Sequence, residues 1–179
     1  IGTLATEAGR QGIITYMMTP DKDYGQLVSD KVFMYRPKHT GGFEVMGVDE
    51  VKAKFDIQSP AQVIDMLGLM GDSSDNIPGC PGVGEKTAQK LIAEFGSIEN
   101  LLEHTDQLKG ALKTKVETNR EMITFSKFLA TIKIDVPIQL DMDSLVREQA
   151  DEDSLRQIFE ELEFRTLIDR VLKKENAGN

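Results

Sequence analysis

The stretch Gly71–Gly96, GDSSDNIPGCPGVGEKTAQKLIAEFG, sets two aspartates, two prolines and four glycines ahead of an amphipathic run that a fifth glycine ends. Opposite charge preferences meet in it. Asp72 and Asp75 attract cations, whereas backbone amides and lysines at a helix start attract anions. One kind of ligand calls for both: a phosphodiester chain, gripped by amides while cations sit beside it.

The segment Pro81–Gly84 places two glycines around one apolar residue directly before a helix. Glycine permits positive φ and close backbone approach, and Gly82 and Gly84 are both read in that role. The amides of Gly84, Glu85 and Lys86 are then expected to point outward at the helix start, and Val83 and Thr87 are counted with them among the DNA-binding residues. Lys86 and Lys90, four apart, add ammonium groups on one face. Such an arrangement holds phosphates without reading bases. A tight turn between two packed helices accounts for the same residues without any ligand. Two other glycine motifs fail. A phosphate-binding loop of the form GxxxxGK[ST] is broken by Glu85 between Gly84 and Lys86. The dinucleotide pattern GxGxxG has Thr87 where its third glycine belongs.

The acids come in two pairs. Asp21 and Asp23 directly follow an apolar run, and extended backbone would aim both carboxylates one way with Lys22 pointing elsewhere. Asp72 and Asp75, three apart at a helix end or turn, also share a face. Four hard oxygen donors suit Mg²⁺ or Mn²⁺. Aspartates in DxD and DxxD spacing also serve as caps and turn formers, and that reading stands beside the metal one.

Working outward, Ile1–Arg10 predicts the end of a helix that Gly12 breaks. Residues 12–19, GIITYMMT, predict a buried strand, and residues 20–28 an acidic turn opening a short helix. Two short strands follow at residues 31–37 and 41–47, joined by the turn signal KHTGG. Helices are predicted at 48–57, and at 59–72 with Ser59 as N-cap and Pro60 at the first position. Further helices are predicted at 85–96, with Ala88, Leu91, Ile92 and Phe95 on one face, and at 97–104. Residues 107–131 read as one or two helices, 132–138 as extended chain and 151–172 as one closing helix. The tail 173–179 reads as a polar linker. An α/β part therefore leads into an all-α part near residue 75, giving domains at 1–75 and 76–179.

The 179 residues suit one domain, or a small one joined to part of another, and an apolar share of 40% supports a core. No run approaches the ~18 apolar residues of a membrane span, and no signal-peptide pattern opens the chain. The single cysteine, Cys80, excludes an internal disulfide, fits a reducing cytosol and reads as a small hydrophobe. The net charge of −9 argues against a wholly basic nucleic-acid binder. Only the middle, residues 80–133 with 7 acids and 8 bases, is slightly basic, so a phosphate partner should dock there. His39 and His104 lie in polar loops and are not expected to be catalytic. Met17, Met18, Met66 and Met70 are expected in the core.

TPDKDYGQLV (Thr19–Val28), followed by LMGDSSDNIPGCPGVGEKTAQKLIAEFGSIENLL (Leu69–Leu102), resembles the 5′-3′ exonuclease domain of bacterial DNA polymerases I, in the flap-endonuclease superfamily. The similarity runs over nearly the whole chain to LEFRTLIDRV. It implies the C-terminal part of a PIN-like, resolvase-like α/β nuclease core followed by an all-α helix–hairpin–helix (helix-3-turn-helix) domain. By the same resemblance Asp21, Asp23, Asp72 and Asp75 match metal-binding catalytic acids. Gly82–Lys86 match the hairpin that grips duplex DNA, often around a K⁺ ion. The implied activity is a structure-specific 5′-3′ exonuclease or flap endonuclease hydrolysing DNA phosphodiesters with two divalent ions in replication and repair. The implied partners are double-stranded, flap or nicked DNA and attached polymerase domains; the implied place is the bacterial cytoplasm, at the nucleoid. A non-catalytic DNA-binding scaffold with structural acids is the alternative. Pro20 and Cys80 replace a common small residue and a common valine, as packing variation. The family's other acids, in an EADD-like motif, and its helical arch would precede Ile1. The chain therefore reads as an N-terminally truncated fragment, expected alone to cut poorly or not at all.

Overall fold

The computed structural model describes residues 1–38 and 40–172, so the readings of His39 and of the 173–179 tail lie outside the described residues. Helix α1 (Gly2–Arg10) turns Ala5 and Ala8 inward, and Gly12 at φ +79° redirects the chain into β1 (Thr15–Met18). A 3₁₀ turn over Lys22–Leu27 leads to β2 (Val32–Pro37) and β3 (Phe43–Met46). The sheet order is β1-β2-β3, with β1–β2 parallel and β2–β3 antiparallel. Helix α2 (Val48–Phe55) follows, then a 3₁₀ turn at Pro60–Gln62 that runs into α3 (Val63–Met70). Ser59 is the N-cap of that turn and Pro60 its first residue, as the sequence predicts, and the Gln62 side chain accepts the Ser59 amide at 3.1 Å in a capping box.

The strand at residues 15–18 is not buried on both faces as predicted. Met17 is buried, whereas Tyr16 is 57% and Met18 70% exposed. A continuous apolar run does not say how many faces are covered, and β1 lies at a sheet edge with one face on the core. Met18 therefore leaves the core expected for it, while Met17 and Met66 occupy it and Met70 is half-buried. On the outer face Tyr16 stacks on Phe33 at 5.6 Å and Tyr35 on Phe43 at 4.6 Å.

Between residues 85 and 130 the chain is helical apart from short turns: α4 (Glu85–Phe95), α5 (Ile98–Glu103), α6 (Gly110–Thr118) and α7 (Arg120–Ala130). The predicted stripe Ala88, Leu91, Ile92 and Phe95 is buried throughout. Two compact units result, Ile1–Leu140 and Asp141–Asn179. In the first, Val51, Val63 and Met66 share one core with Ile92, Leu101 and Ile123, so the change from sheet to helices near residue 75 falls inside a single packed body. In the second, the predicted closing helix is two, α8 (Glu152–Glu161) and α9 (Arg165–Leu172), because Glu163 takes φ +56° between them. Asp151 caps α8 by accepting the Ser154 amide at 3.0 Å. No helix among the described residues is long and apolar enough to cross a membrane.

Helix α3 packs on α7 around a buried ion network that sequence reasoning missed. Lys127 Nζ donates to Asp65 Oδ1 at 2.6 Å and to Glu99 Oε2 at 2.8 Å, and Asp65 Oδ1 also accepts the Ile98 amide at 2.9 Å. Burial opposes the Lys127 charge, but its bonds to Asp65 and Glu99 raise its pKa above the usual lysine value. Lys127→Met should cost about 2–4 kcal/mol in urea unfolding, because it strands a buried carboxylate. Glu99→Gln, at an exposed partner, should cost less than ~1 kcal/mol. Equal costs would mean that Asp65 does not need its lysine.

Candidate functional site

The acidic loop is shaped by two glycines. Helix α3 stops where Gly71 takes φ +74°, and Gly79, at φ +64°, returns against it. A Cβ on Gly79 would stand 2.3 Å from the Gly71 nitrogen, so side chains are excluded where the strands of the loop meet. Between them Asp72 and Ile77 exchange both backbone bonds, at 2.9 and 2.8 Å, and the Ser74 amide donates to Asp72 Oδ1 at 2.9 Å. The neck is anchored twice. The Cys80 amide donates to Leu69 O at 2.7 Å, and the Gly79 amide donates at 3.0 Å to the fully buried Ser126 Oγ on α7.

This loop carries Asp72 and Asp75 to the turn after β1, where each of Asp23, Asp72 and Asp75 offers a carboxylate oxygen within 4.8 Å of the others. Asp21 does not join the three; it caps the 3₁₀ turn, accepting the Asp23 amide at 3.0 Å, and lines the adjoining cleft. Lys22, expected to point away, does the reverse. Its ammonium pairs with Asp72 and lies 3.5 Å from Asp23 Oδ1. The backbone after β1 is a 3₁₀ turn and not extended chain, so alternation does not separate Lys22 from its neighbours.

The carboxylates differ in environment. Burial pushes the Asp23 pKa up, Lys22 draws it down, and Asp21 and Asp72 push it up further. Asp23 Oδ1 is buried and accepts no hydrogen bond. Asp72 feels burial too, but bonds from Lys22 and the Ser74 amide hold it below the usual carboxylate range. A buried, underused carboxylate oxygen beside two further carboxylates fits a bound cation, and the Lys22 ammonium stands at that place.

The hairpin divides its predicted residues. Gly82 takes φ +76°, and its carbonyl accepts Lys115 Nζ at 3.2 Å. Val83 faces the core at 4% exposure, its amide donating to Cys80 O at 3.0 Å. Gly84 does not adopt the positive φ expected of it. As the N-cap of α4 it is extended, at φ −96°, and its carbonyl accepts the Thr87 and Ala88 amides. Glu85, Lys86 and Lys90 are exposed, and among the described residues neither lysine has an ion-pair partner. Cys80 is buried as read, and burial pushes its thiol pKa up. His104 Nδ1 sits 2.9 Å from Asn100 O at the end of α5, apart from both groups of residues. Ser126, Lys115, Arg36 and Lys54 were missed; a lone serine or cation far away in the chain gives no local signal of joining a loop.

A protein-family model described as 5′-3′ exonuclease, C-terminal SAM fold, matches residues 58–153. DNA polymerase I of Bacillus subtilis (strain 168) is 43% identical over 173 residues, covering 96% of this chain and 20% of that protein. The thermostable DNA polymerase I of Thermus filiformis is 41% identical over 169 residues, covering 94% of this chain and 20% of that protein. The chain thus spans about a fifth of the length of these relatives. Among solved structures, a T5 5′-exonuclease with divalent metal ions (zinc) bound aligns with TM-score 0.63 and 21% identity, over 72% of this chain and 48% of the other. The catalytic core of Rad2 in complex with DNA substrate aligns with TM-score 0.56 and 16% identity, over 88% of this chain and 54% of the other. At these identities the two structures share the fold.

Two outcomes follow from the geometry. Gly79→Ala should lower stability by about 2–4 kcal/mol, from strain at positive φ plus the clash with Gly71, whereas Gly84→Ala should change it by less than ~0.5 kcal/mol. Thermal unfolding of both decides the matter, and a harmless Gly79→Ala would remove the glycine contact from the account. The second outcome concerns pH. Asp23 binds its proton more tightly folded than unfolded, so its ionisation works against folding. The loss of stability begins near the unfolded value of ~3.9 and is complete above the raised native one. In chelator, Asp23→Asn should therefore raise Tm more at pH 7 than at pH 4. A fall in Tm at pH 7 would contradict the direction of the shift.

Proposed function

Because this chain belongs to the 5′-3′ exonuclease family with the C-terminal SAM fold, we propose that it forms part of a structure-specific 5′-3′ exonuclease or flap endonuclease acting on DNA phosphodiesters. The observation that carries this reading is the convergence of Asp23, Asp72 and Asp75 around a buried carboxylate oxygen that accepts no hydrogen bond. These three, with Asp21 at the cleft wall, would hold Mg²⁺ or Mn²⁺, as the T5 5′-exonuclease holds divalent ions. A divalent ion held there would supply activation of water and neutralisation of the leaving oxygen, the chemistry that two such ions share in an intact domain of this kind.

The protein's own residues do the positioning. Gly71 and Gly79 fix the acids, and Lys22 balances their charge at the place a divalent ion would occupy. The α4 start, with Gly82, Gly84, Glu85, Lys86, Thr87 and Lys90, would hold the phosphates of double-stranded, nicked or flap DNA, with a K⁺ ion at the hairpin carbonyls. Val83 serves by anchoring the turn in the core. We divide these tasks at residue 75: acids mainly before it, phosphate grip after it. In a protein of the relatives' length, polymerase domains would be attached, and the place of action would be the bacterial cytoplasm at the nucleoid.

One observation favours a second reading. Lys22 already neutralises Asp72, so the acids could serve as structural caps in a non-catalytic DNA-binding scaffold. Calorimetry with Mn²⁺ separates the two. Binding by this chain that is lost in Asp72→Asn with Asp75→Asn supports the nuclease reading; identical titrations leave only the scaffold. Lys86→Ala should weaken binding to duplexes of any sequence and make the salt dependence shallower by roughly one ion. Unchanged binding would reduce the hairpin to a turn.

A further inference from the structure

The cleft beside the aspartates has a second wall of opposite charge. It encloses about 380 Å³, and Lys22, Arg36 and Lys54 face it together with Asp21, Ser74 and Asp75. Arg36 comes from β2 and Lys54 from the last turn of α2. Neither cation is well matched by the protein. Arg36 Nε is buried with no hydrogen-bond partner, and Nη1 reaches Glu44 Oε1 only at 3.8 Å and Met46 Sδ at 3.3 Å. Lys54 has no ion pair among the described residues; its Nζ lies 5.7 Å from the Phe55 ring centroid. Burial lowers the Lys54 pKa, Arg36 and Lys22 lower it further, and Glu44 alone opposes them. A half-buried arginine and an exposed lysine that repel each other across a cleft are relieved by an anion between them.

We propose that Arg36 and Lys54 form a phosphate-binding subsite that takes one phosphate group of a DNA strand in this cleft. The proposal rests on the nuclease reading for the identity of the ligand, not for the existence of the site. Phosphate is the anion whose several oxygens use both the planar fork of an arginine and the point charge of a lysine. The location adds to the argument. Asp21 and Asp75 on the facing wall repel a lone anion, but with a metal ion held by the carboxylates a phosphate would face cations on both sides of the cleft. Lys22 lines the same cleft, so on leaving Asp72 it still faces the anion. The subsite would place a strand phosphate against the aspartates independently of the hairpin.

The test is an NMR titration of the ¹⁵N-labelled chain in chelator, following the Arg36 Nε–H resonance, with sodium chloride of matching ionic strength as control. The probes are inorganic phosphate, thymidine 5′-monophosphate and the diester thymidylyl-thymidine. A saturable Arg36 shift, weakened about fivefold by Lys54→Gln (the worth of one partly exposed ion pair), is the expected result. Response to the monophosphate alone assigns the site to a strand end; response to the diester as well assigns it to the strand interior. No saturable shift in the wild-type chain, or a shift that Lys54→Gln leaves unchanged, overturns the proposal. Because no metal is present, that failure is distinguishable from loss of Mn²⁺ binding at the aspartates, which would overturn the nuclease reading instead.

Discussion

The backbone contact between Gly71 and Gly79 is the constraint on which the site depends. Two residues without side chains let the chain return within van der Waals distance of its own helix end. That return closes the Asp72–Ile77 ladder, directs the Cys80 amide to Leu69 and brings the Gly79 amide to Ser126. Each bond satisfies a backbone group that would otherwise be buried and unpaired at a helix terminus. The same few residues therefore finish α3, orient the acids and tie the loop to α7. A looser loop would allow three carboxylates to drift apart, which is what their repulsion favours.

That repulsion is contained in two ways. Lys22 supplies an internal counter-ion, and the Ser74 amide stabilises Asp72 as the carboxylate. Asp23 receives less help, and its raised pKa records the strain of a buried charge. Stability set aside at one residue in this way is common where a site must bind something. The Asp65–Lys127–Glu99 network shows the contrasting case: a carboxylate as deeply buried, whose Oδ1 accepts from both Lys127 and the Ile98 amide.

Much of this was legible in the sequence, because local signals sufficed. Gly96 and the spacing of Ala88, Leu91, Ile92 and Phe95 fixed α4, and Asp72 with Asp75 announced a shared face. Failures arose where the outcome depended on distant chain. Whether GIITYMMT is covered on one face or two depends on what packs against it, which periodicity cannot state. Lys22 was misplaced because a 3₁₀ turn was read as extended, and Gly84 because a glycine next to a helix start can serve as an N-cap in extended backbone without needing positive φ. Ser126, Arg36 and Lys54 carry no motif at all; Ser126 matters through its bond to Gly79, 47 residues away, and Arg36 and Lys54 through the cleft they line, where only the fold decides.

The path from the acids to the hairpin explains how one short segment can serve both. Ile77, Cys80 and Val83, three residues apart, are all buried, at 7%, 2% and 4% exposure. Asp75, Gly82 and Glu85, between and beyond them, remain exposed. Apolar side chains at regular intervals thus pin the segment to the core while its polar residues face outward, and Lys115 fastens the hairpin carbonyl from α6. The separation of the acids from the α4 start is consequently set by packing and not by a flexible tether. In the proposed function this rigidity matters more than affinity. Under that proposal, a strand gripped by its phosphates at α4 would meet the aspartates at a fixed distance, so which bond lay at the acids would follow from where the duplex was held.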